Sequence, residues 1–219
     1  MLRDTRAVIF DLDDTIYPLE RFVLSGFDAV ASHLERLFQV PREPARHVLR
    51  SAFDGGHRGS ELQVCLRHFG LPEALAPSLV QVIRGHQPSL ELPASAAHAL
   101  SAMASTWRVG IVTNGPVDIQ SRKVAALGLS DFVDEIVFAD GERAKPAAAP
   151  FLEVTRRLRV PVRRSIFVGN DPVCDVYGAW RLGMKTIHVA GQPAASALMA
   201  DATVHSIVEV PDIAERLVA

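Results

Sequence analysis

Two carboxylates set two residues apart directly behind an apolar run can serve one reaction, the first attacking and the second handling a proton. The chain has this arrangement in Asp11-Leu12-Asp13-Asp14-Thr15, behind Ala7-Val8-Ile9-Phe10. The apolar run reads as a buried parallel strand, and in open α/β sheets ligands bind beyond the carboxyl ends of the strands. A carboxylate that attacks phosphorus forms an aspartyl-phosphate and divides hydrolysis into two easier displacements, a role that suits Asp11. The leaving alkoxide then needs a proton and the attacking water must lose one, which calls for a second, non-attacking carboxyl, and Asp13 fits. Asp14 and Thr15 suit a turn or a cap, so they are read as supporting residues.

Three further apolar runs end in polar residues of the kind phosphoryl transfer needs. Thr113-Asn114-Gly115 follows Val109-Gly110-Ile111-Val112, and Lys145-Pro146 lies in the loop after Glu135-Ile136-Val137-Phe138. Gly169-Asn170-Asp171-Pro172-Val173-Cys174-Asp175 follows Ser165-Ile166-Phe167-Val168. Phosphoryl transfer is dominated by positioning and charge neutralisation. Lys145 would supply charge, and Thr113 and Asn114 would supply hydrogen bonds to phosphate oxygens. Taken singly, Lys145 is a solvated loop lysine and Thr113-Asn114-Gly115 an ordinary turn; their joint placement at successive strand ends is what argues for a site. Repulsion between a phosphate and Asp11 asks for a hard cation on oxygen ligands, Mg²⁺, held by Asp11, the Asp13 backbone carbonyl and the fourth motif. Within that motif, counting from the strand end favours Asn170 as the direct ligand, whereas counting four back from Asp175 favours Asp171. The expectation is Asn170 as ligand, Asp171 adding negative charge beside it, and Asp175 bracing the start of the next helix.

With these four motifs in order, the sequence resembles the haloacid dehalogenase-like superfamily over essentially its whole length. The segment after the first motif resembles the helical cap of that superfamily's subfamily I, and the remainder its Rossmann-like core. The resemblance implies a phosphatase that uses Mg²⁺ to hydrolyse small phosphate monoesters of the sugar phosphate or nucleotide class. A metal-independent haloacid dehalogenase is the rival chemistry, but similar enzymes of that kind lack the second Asp of the first motif. A phosphomutase shares every motif residue. A regulatory binding module is the non-enzymatic alternative, and no catalytic residue is missing in its favour.

These residues need a scaffold, and the chain is long enough to provide one. Its 219 residues, 48% hydrophobic and 22% charged, suit an α/β core plus a small second unit. Strand-like runs alternating with helical segments imply a parallel sheet with helices on both faces. The expected division is a Rossmann-like core over residues 1–17 and 93–219, with an inserted helical cap domain over 18–92. In the cap, Phe22, Phe27, Val30, Leu34, Leu37 and Phe38 fall on one helical stripe, and further helical patterns cover residues 45–53, 61–69 and 75–83. The chain returns through a proline-marked hinge at residues 87–93. Arg58 and His86 are candidates for substrate specificity, His57 a weaker one, and Tyr17 and Arg21 stand close to the first motif without an assigned role.

A net charge of −2 with both signs scattered gives no footprint for nucleic acid or a membrane surface, so the partner expected is a small phosphorylated metabolite. No apolar stretch reaches membrane-spanning length, and Met1-Leu2-Arg3-Asp4 lacks a signal-peptide profile. Cys65 and Cys174, the two cysteines, have no metal-like or redox-like spacing and are given no role. A cytoplasmic location follows as an expectation.

Overall fold

In a computed structural model of the chain, residues 6–191 and 197–218 are described; Met1-Leu2-Arg3-Asp4 lie outside them. Among the described residues, six strands form one sheet in the order β3-β2-β1-β4-β5-β6, with every pairing parallel. The strands are β1 (Ala7–Phe10), β2 (Arg108–Asn114), β3 (Glu135–Ala139), β4 (Ser165–Gly169), β5 (Lys185–Val189) and β6 (Ala202–Val204). Alternate residues of a strand face opposite sides, and Ala7, Val8, Ile9 and Phe10 are all fully buried, so both faces of the sheet are covered at β1. On one face Ala7 and Ile9 pack with Phe151, Val154 and Leu158 of α7 (Ala148–Leu158).

The register explains why the motifs meet. β1 lies between β2 and β4, with Phe10 opposite Ile111 on one side and Val168 on the other. The residues just past Phe10, Ile111 and Val168 therefore emerge at one level of the sheet, at its carboxyl edge. Asp11 extends the ladder by donating its N–H to the Val168 carbonyl at 2.8 Å. β2 runs on through Thr113 and Asn114, so these two side chains sit on regular strand and not on a turn.

The chain divides into two compact units, Met1–Pro18 with Glu91–Ala219, and Leu19–Leu90. The second consists of α1 (Leu19–Phe38), α2 (Arg42–Asp54), α3 (Glu61–His68), α4 (Ala76–Gly85) and a short 3-10 turn, Glu73–Leu75. Its core gathers Phe27, Val30 and Leu34 of α1 with Leu49, Leu66 and Leu79 of the other helices. The apolar stripe of α1 ends there, since Leu37 and Phe38 are 56% and 37% exposed. In the first unit, α5 (Ala94–Ala104) packs on β2, and α6 (Val117–Ala126) follows that strand. After β4 come a π-helical turn (Pro172–Tyr177) and the one-turn α8 (Gly178–Trp180); α9 (Val210–Val218) closes the described chain. No helix among the described residues is long and apolar enough to cross a membrane.

Candidate active site

Lys145 joins three of the strand ends. Its Nζ donates to Asp11 Oδ1 at 2.6 Å, to Asp175 Oδ1 at 2.7 Å and to the Val112 carbonyl at 3.0 Å, so each of the three ammonium protons has an acceptor. The Lys145 and Asp175 side chains are each 2% exposed and that of Asp11 10%. Asn114 anchors this lysine from below: its amide donates to the Lys145 carbonyl at 2.9 Å and its Oδ1 accepts from the Lys145 N–H at 2.8 Å. One Asn114 amide proton is left over for a further acceptor. Thr113 is buried at the end of β2. Asp175 closes the arrangement through Oδ2, which accepts the Asp171 N–H at 3.0 Å. Gly169 has to be glycine for this, because a Cβ there would stand 2.3 Å from Asp175 Oδ2.

Two buried carboxylates around one ammonium set the electrostatics. Burial pushes the Asp11 carboxyl up to about 7; Lys145 pulls it down and Asp175 pushes it further up. Burial also pulls Lys145 down, but Asp11 and Asp175 outweigh that and hold it above its ordinary value. The lysine is thus a fixed positive charge beside the first-motif carboxylate.

Asp13 belongs to a second cluster. Lys123 Nζ donates to both its oxygens, at 2.9 and 2.8 Å, Tyr17 Oη donates to Oδ1 at 2.6 Å, and Gln120 Nε2 donates to Oδ2 at 3.2 Å. Gln120 Nε2 also donates to the Asn114 carbonyl at 2.6 Å. Both neighbours are acceptors only, which fixes the orientation of the amide. Gly115 makes room: it holds φ +129°, and a Cβ on it would lie 2.9 Å from Gln120 Nε2. Burial and the Asp13 carboxylate push the Tyr17 phenol far up, so Tyr17 keeps its proton and donates it to Asp13.

Sequence reasoning missed Gln120 and Lys123, although a signal existed. Gln120, Lys123, Val124 and Leu127 recur at helical spacing and are all at most 5% exposed. Two polar residues stand at inward positions of an otherwise apolar stripe, and a buried lysine needs a partner. Tyr17, to which the sequence assigns no role, closes the turn that carries Asp13, where the Asp14 N–H donates to the Tyr17 carbonyl at 2.9 Å and Asp14 itself sits at φ +57°.

The fourth motif presents its two oxygen donors differently. Thr15 Oγ1 lies 3.3 Å from Asp11 Oδ2 and 3.2 Å from Asn170 Oδ1, so both oxygens converge on one hydroxyl with a single proton. Asp171 faces elsewhere: Oδ1 accepts the N–H groups of Val173 and Cys174 at 2.8 and 2.7 Å, capping the π-helical turn. A further residue missed from sequence, the buried His188 of β5, donates from Nε2 to the Asn170 carbonyl at 3.1 Å while its Nδ1 accepts the Ala197 N–H at 3.4 Å. No cluster of three or more His, Cys, Asp or Glu side chains suited to a metal occurs among the described residues. The donor set available is mixed instead: Asp11 carboxylate and Asn170 amide oxygens, with surplus acceptors around one hydroxyl proton. Hard cations take such oxygens, so the residues fit Mg²⁺.

In the helical unit, His86 is an internal brace. Its Nδ1 donates to the Ile83 carbonyl at 2.5 Å, which leaves Nε2 to accept from Ser25 Oγ at 3.1 Å, and Ser25 Oγ in turn accepts the Ser89 N–H at 2.8 Å. Both ring nitrogens are thus used within the unit, and the ring packs 5.0 Å from that of Phe22. Arg58 is exposed with its guanidinium 4.6 Å over the Phe53 ring. His57 is exposed beside it.

An aspartate beside a lysine at the carboxyl edge of a Rossmann-like sheet, fed by four strand ends, defines a class of hydrolases. The model of the haloacid dehalogenase-like hydrolase family matches residues 5–183, and the chain belongs to that family. It is a hydrolase of that family. The glyceraldehyde 3-phosphate phosphatase of Methanothermobacter thermautotrophicus is 29% identical over 197 residues, which cover 84% of this chain and 85% of the relative. Among solved structures, a HAD phosphatase from Thermococcus onnurineus is similar with a TM-score of 0.64 at 26% identity, covering 95% of this chain and 97% of its own. A 2-haloacid dehalogenase from Pseudomonas syringae pv. Tomato is similar with a TM-score of 0.65 at 27% identity, covering 97% and 99%.

Proposed function

We propose that the protein is a Mg²⁺-dependent phosphatase of small phosphate monoesters, of the sugar phosphate class, working through an aspartyl-phosphate on Asp11. The observation that carries this reading is the charge balance at the strand ends. Around Lys145 two carboxylates, Asp11 and Asp175, face one ammonium, which leaves one negative charge where a phosphate would arrive. A phosphate dianion would add to that charge, so the site suits a divalent cation and phosphate together far better than phosphate alone.

In the first step an Asp11 carboxylate oxygen attacks phosphorus, the bond to the ester oxygen breaks, and the leaving alkoxide takes a proton from Asp13, which enters this step as the carboxylic acid and leaves it as the carboxylate. Lys145, fixed by Asp175 and the Val112 carbonyl, neutralises charge on the transferring phosphoryl oxygens, and Thr113 and the remaining Asn114 amide proton are the hydrogen-bond donors at the end of β2. In the second step water attacks the phosphoryl group, Asp13 takes its proton, and the bond to Asp11 breaks to release inorganic phosphate. Asp11, Asn170 and the Asp13 backbone carbonyl would hold Mg²⁺, which when bound offsets phosphate charge. Asn170 is preferred to Asp171 as ligand because its oxygen points to the same hydroxyl as Asp11, whereas Asp171 caps a turn. Thr15 and Asp175 support the set.

The sugar phosphate class is supported by the name of the relative above, a glyceraldehyde 3-phosphate phosphatase. The helical unit is proposed as the specificity-setting cap, with Arg58 as its first candidate. A cytoplasmic setting remains part of this reading, in keeping with two cysteines that are both free. The test is turnover across a panel of phosphorylated sugars and nucleotides, with chelator and with Mg²⁺, alongside a 2-haloacid. Phosphate release that stops in chelator and returns with Mg²⁺ is expected. Full activity in excess chelator, or dechlorination in place of phosphate release, would overturn it.

A further inference from the structure

The buried Lys123 has no part in the reaction as derived above, yet it makes the closest charged contact of the residue that moves the protons. Its side chain is 4% exposed, whereas that of Asp13 is 21% exposed. The cationic end is therefore enclosed and the carboxylate is the part that meets solvent. A buried ammonium chelating both oxygens fixes a carboxylate in plane as well as in position, since a single contact leaves it free to rotate. Gln120 adds a second anchor to Oδ2 and ties it to the last carbonyl of β2, and Tyr17 adds a third on Oδ1 from the far side of the same turn. Asp13 is thus held from α6, which Gln120 ties to the end of β2, and from its own loop.

We propose that Lys123, with Gln120 and Tyr17 as its helpers, is the positioning residue for the proton-transferring carboxylate of Asp13. This rests on the phosphatase reading above and extends it to a residue outside the four motifs. Proton transfer in a transition state needs the carboxyl within hydrogen-bond reach of the ester oxygen, so a loosened Asp13 slows the transfer without removing the nucleophile. The effect must then depend on the leaving group. An alkoxide cannot depart unprotonated, whereas a nitrophenolate can.

The experiment compares wild type, Lys123→Met and Lys123→Arg, with Mg²⁺, in the first turnover and at steady state, on an alkyl phosphate and on p-nitrophenyl phosphate. For Lys123→Met, first-turnover release from the alkyl ester should fall on the order of 100-fold, the scale of a general acid, with KM changed by less than about threefold. Release of the first equivalent of nitrophenolate should stay near the wild-type rate and be followed by slow turnover, because the same carboxylate serves water in the second step. Lys123→Arg should restore part of the alkyl-ester rate. Should Lys123→Met fail to fold, Gln120→Leu and Tyr17→Phe, which strand no charge, should show the same ordering of leaving groups on a smaller scale. Equal losses on both esters, or none, would overturn the inference while leaving an active wild type and its phosphatase reading intact. A wild type inert on both esters would overturn the phosphatase reading first.

Discussion

Asp11 and Asp13 come from one turn and each has a buried lysine, but the two pairs are built for different work. Lys145 is saturated: all three protons are taken, two of them by carboxylates, and neither it nor Asp175 meets solvent. Lys123 chelates the Asp13 carboxylate, which is part solvated and shares its oxygens with a phenol and an amide. The first pair keeps a nucleophile still in a dry setting where charge acts strongly, and the second steadies a group that must reach substrate and water in turn. Two residues of sequence separation are enough to divide the labour, because a turn sends consecutive acidic side chains towards different elements.

The comparison breaks most sharply at the nucleophile. Asp11→Asn should reduce kcat about 10⁴-fold or more, since the amide keeps the shape and cannot attack, and no label from a phosphate-ester substrate should appear on residue 11 in a rapid quench. Its thermal stability in metal-free buffer should hold or rise, because the amide brings no charge into a buried site. Persistent turnover in this variant would move the nucleophile elsewhere.

Next in size is the contrast between the lysines. Lys145→Met strands two buried carboxylates and should cost about 3–5 kcal/mol of stability. Lys123→Met leaves Asp13 with Tyr17, Gln120 and water, so about 1–3 kcal/mol is expected. Urea unfolding of both variants measures the difference. Equal costs would mean that the Asp11 cluster is no drier in solution than the Asp13 cluster.

The dryness of the first cluster also has a pH signature. A carboxyl raised from its ordinary value to about 7 stabilises the fold fully below the ordinary value and loses that contribution as pH rises through about 7. In chelator, wild type should therefore be less stable than Asp11→Asn at pH about 8, and the gap should close towards pH about 4, the ordinary carboxylate range. A gap that does not vary with pH would show that Lys145 holds Asp11 ionised throughout.

The first cluster was legible in the sequence and the second mostly was not, for a physical reason. Asp11, Thr113, Asn114 and Asn170 each lie at or just beyond an apolar run, so the sheet's own register brings them together, and Lys145 lies in the loop that follows a fourth such run. Gln120 and Lys123 meet Asp13 through a helix face, and a polar pair inside a helical stripe signals burial without saying what it meets. The same holds for His188, whose place in a β-branched run reads as strand and gives no sign that its ring reaches the Asn170 carbonyl. The three-residue β6 is too short for any pattern, and the alanine-rich α5 has too little contrast between its faces to show a period. In the helical unit the core helices were readable from their stripes. His86 was not, because a buried histidine satisfied by Ser25 and Ile83 looks the same in sequence as one that faces a substrate.

The smallest expected effect bears on the fourth motif, where two neighbouring oxygens could serve Mg²⁺. Asn170 Oδ1 and Asp11 Oδ2 flank the Thr15 hydroxyl, so a cation replacing that shared proton contact would find both at once. Asp171 Oδ1 already accepts two backbone N–H groups, and turning it towards a metal would uncap the π-helical turn. Asn170→Ala should accordingly weaken Mg²⁺ in activity titrations about 10- to 100-fold, the range seen for groups that tune a metal site, and Asn170→Asp should tighten it by adding charge. Asp171→Ala should lose about 1 kcal/mol of stability, as for other lost caps, and shift the Mg²⁺ midpoint by less than about twofold. Titrating the three variants side by side separates cap from ligand. If the Asp171 variant alone needs more Mg²⁺, the metal sits one residue further along the loop and Asn170 serves only to hold Thr15.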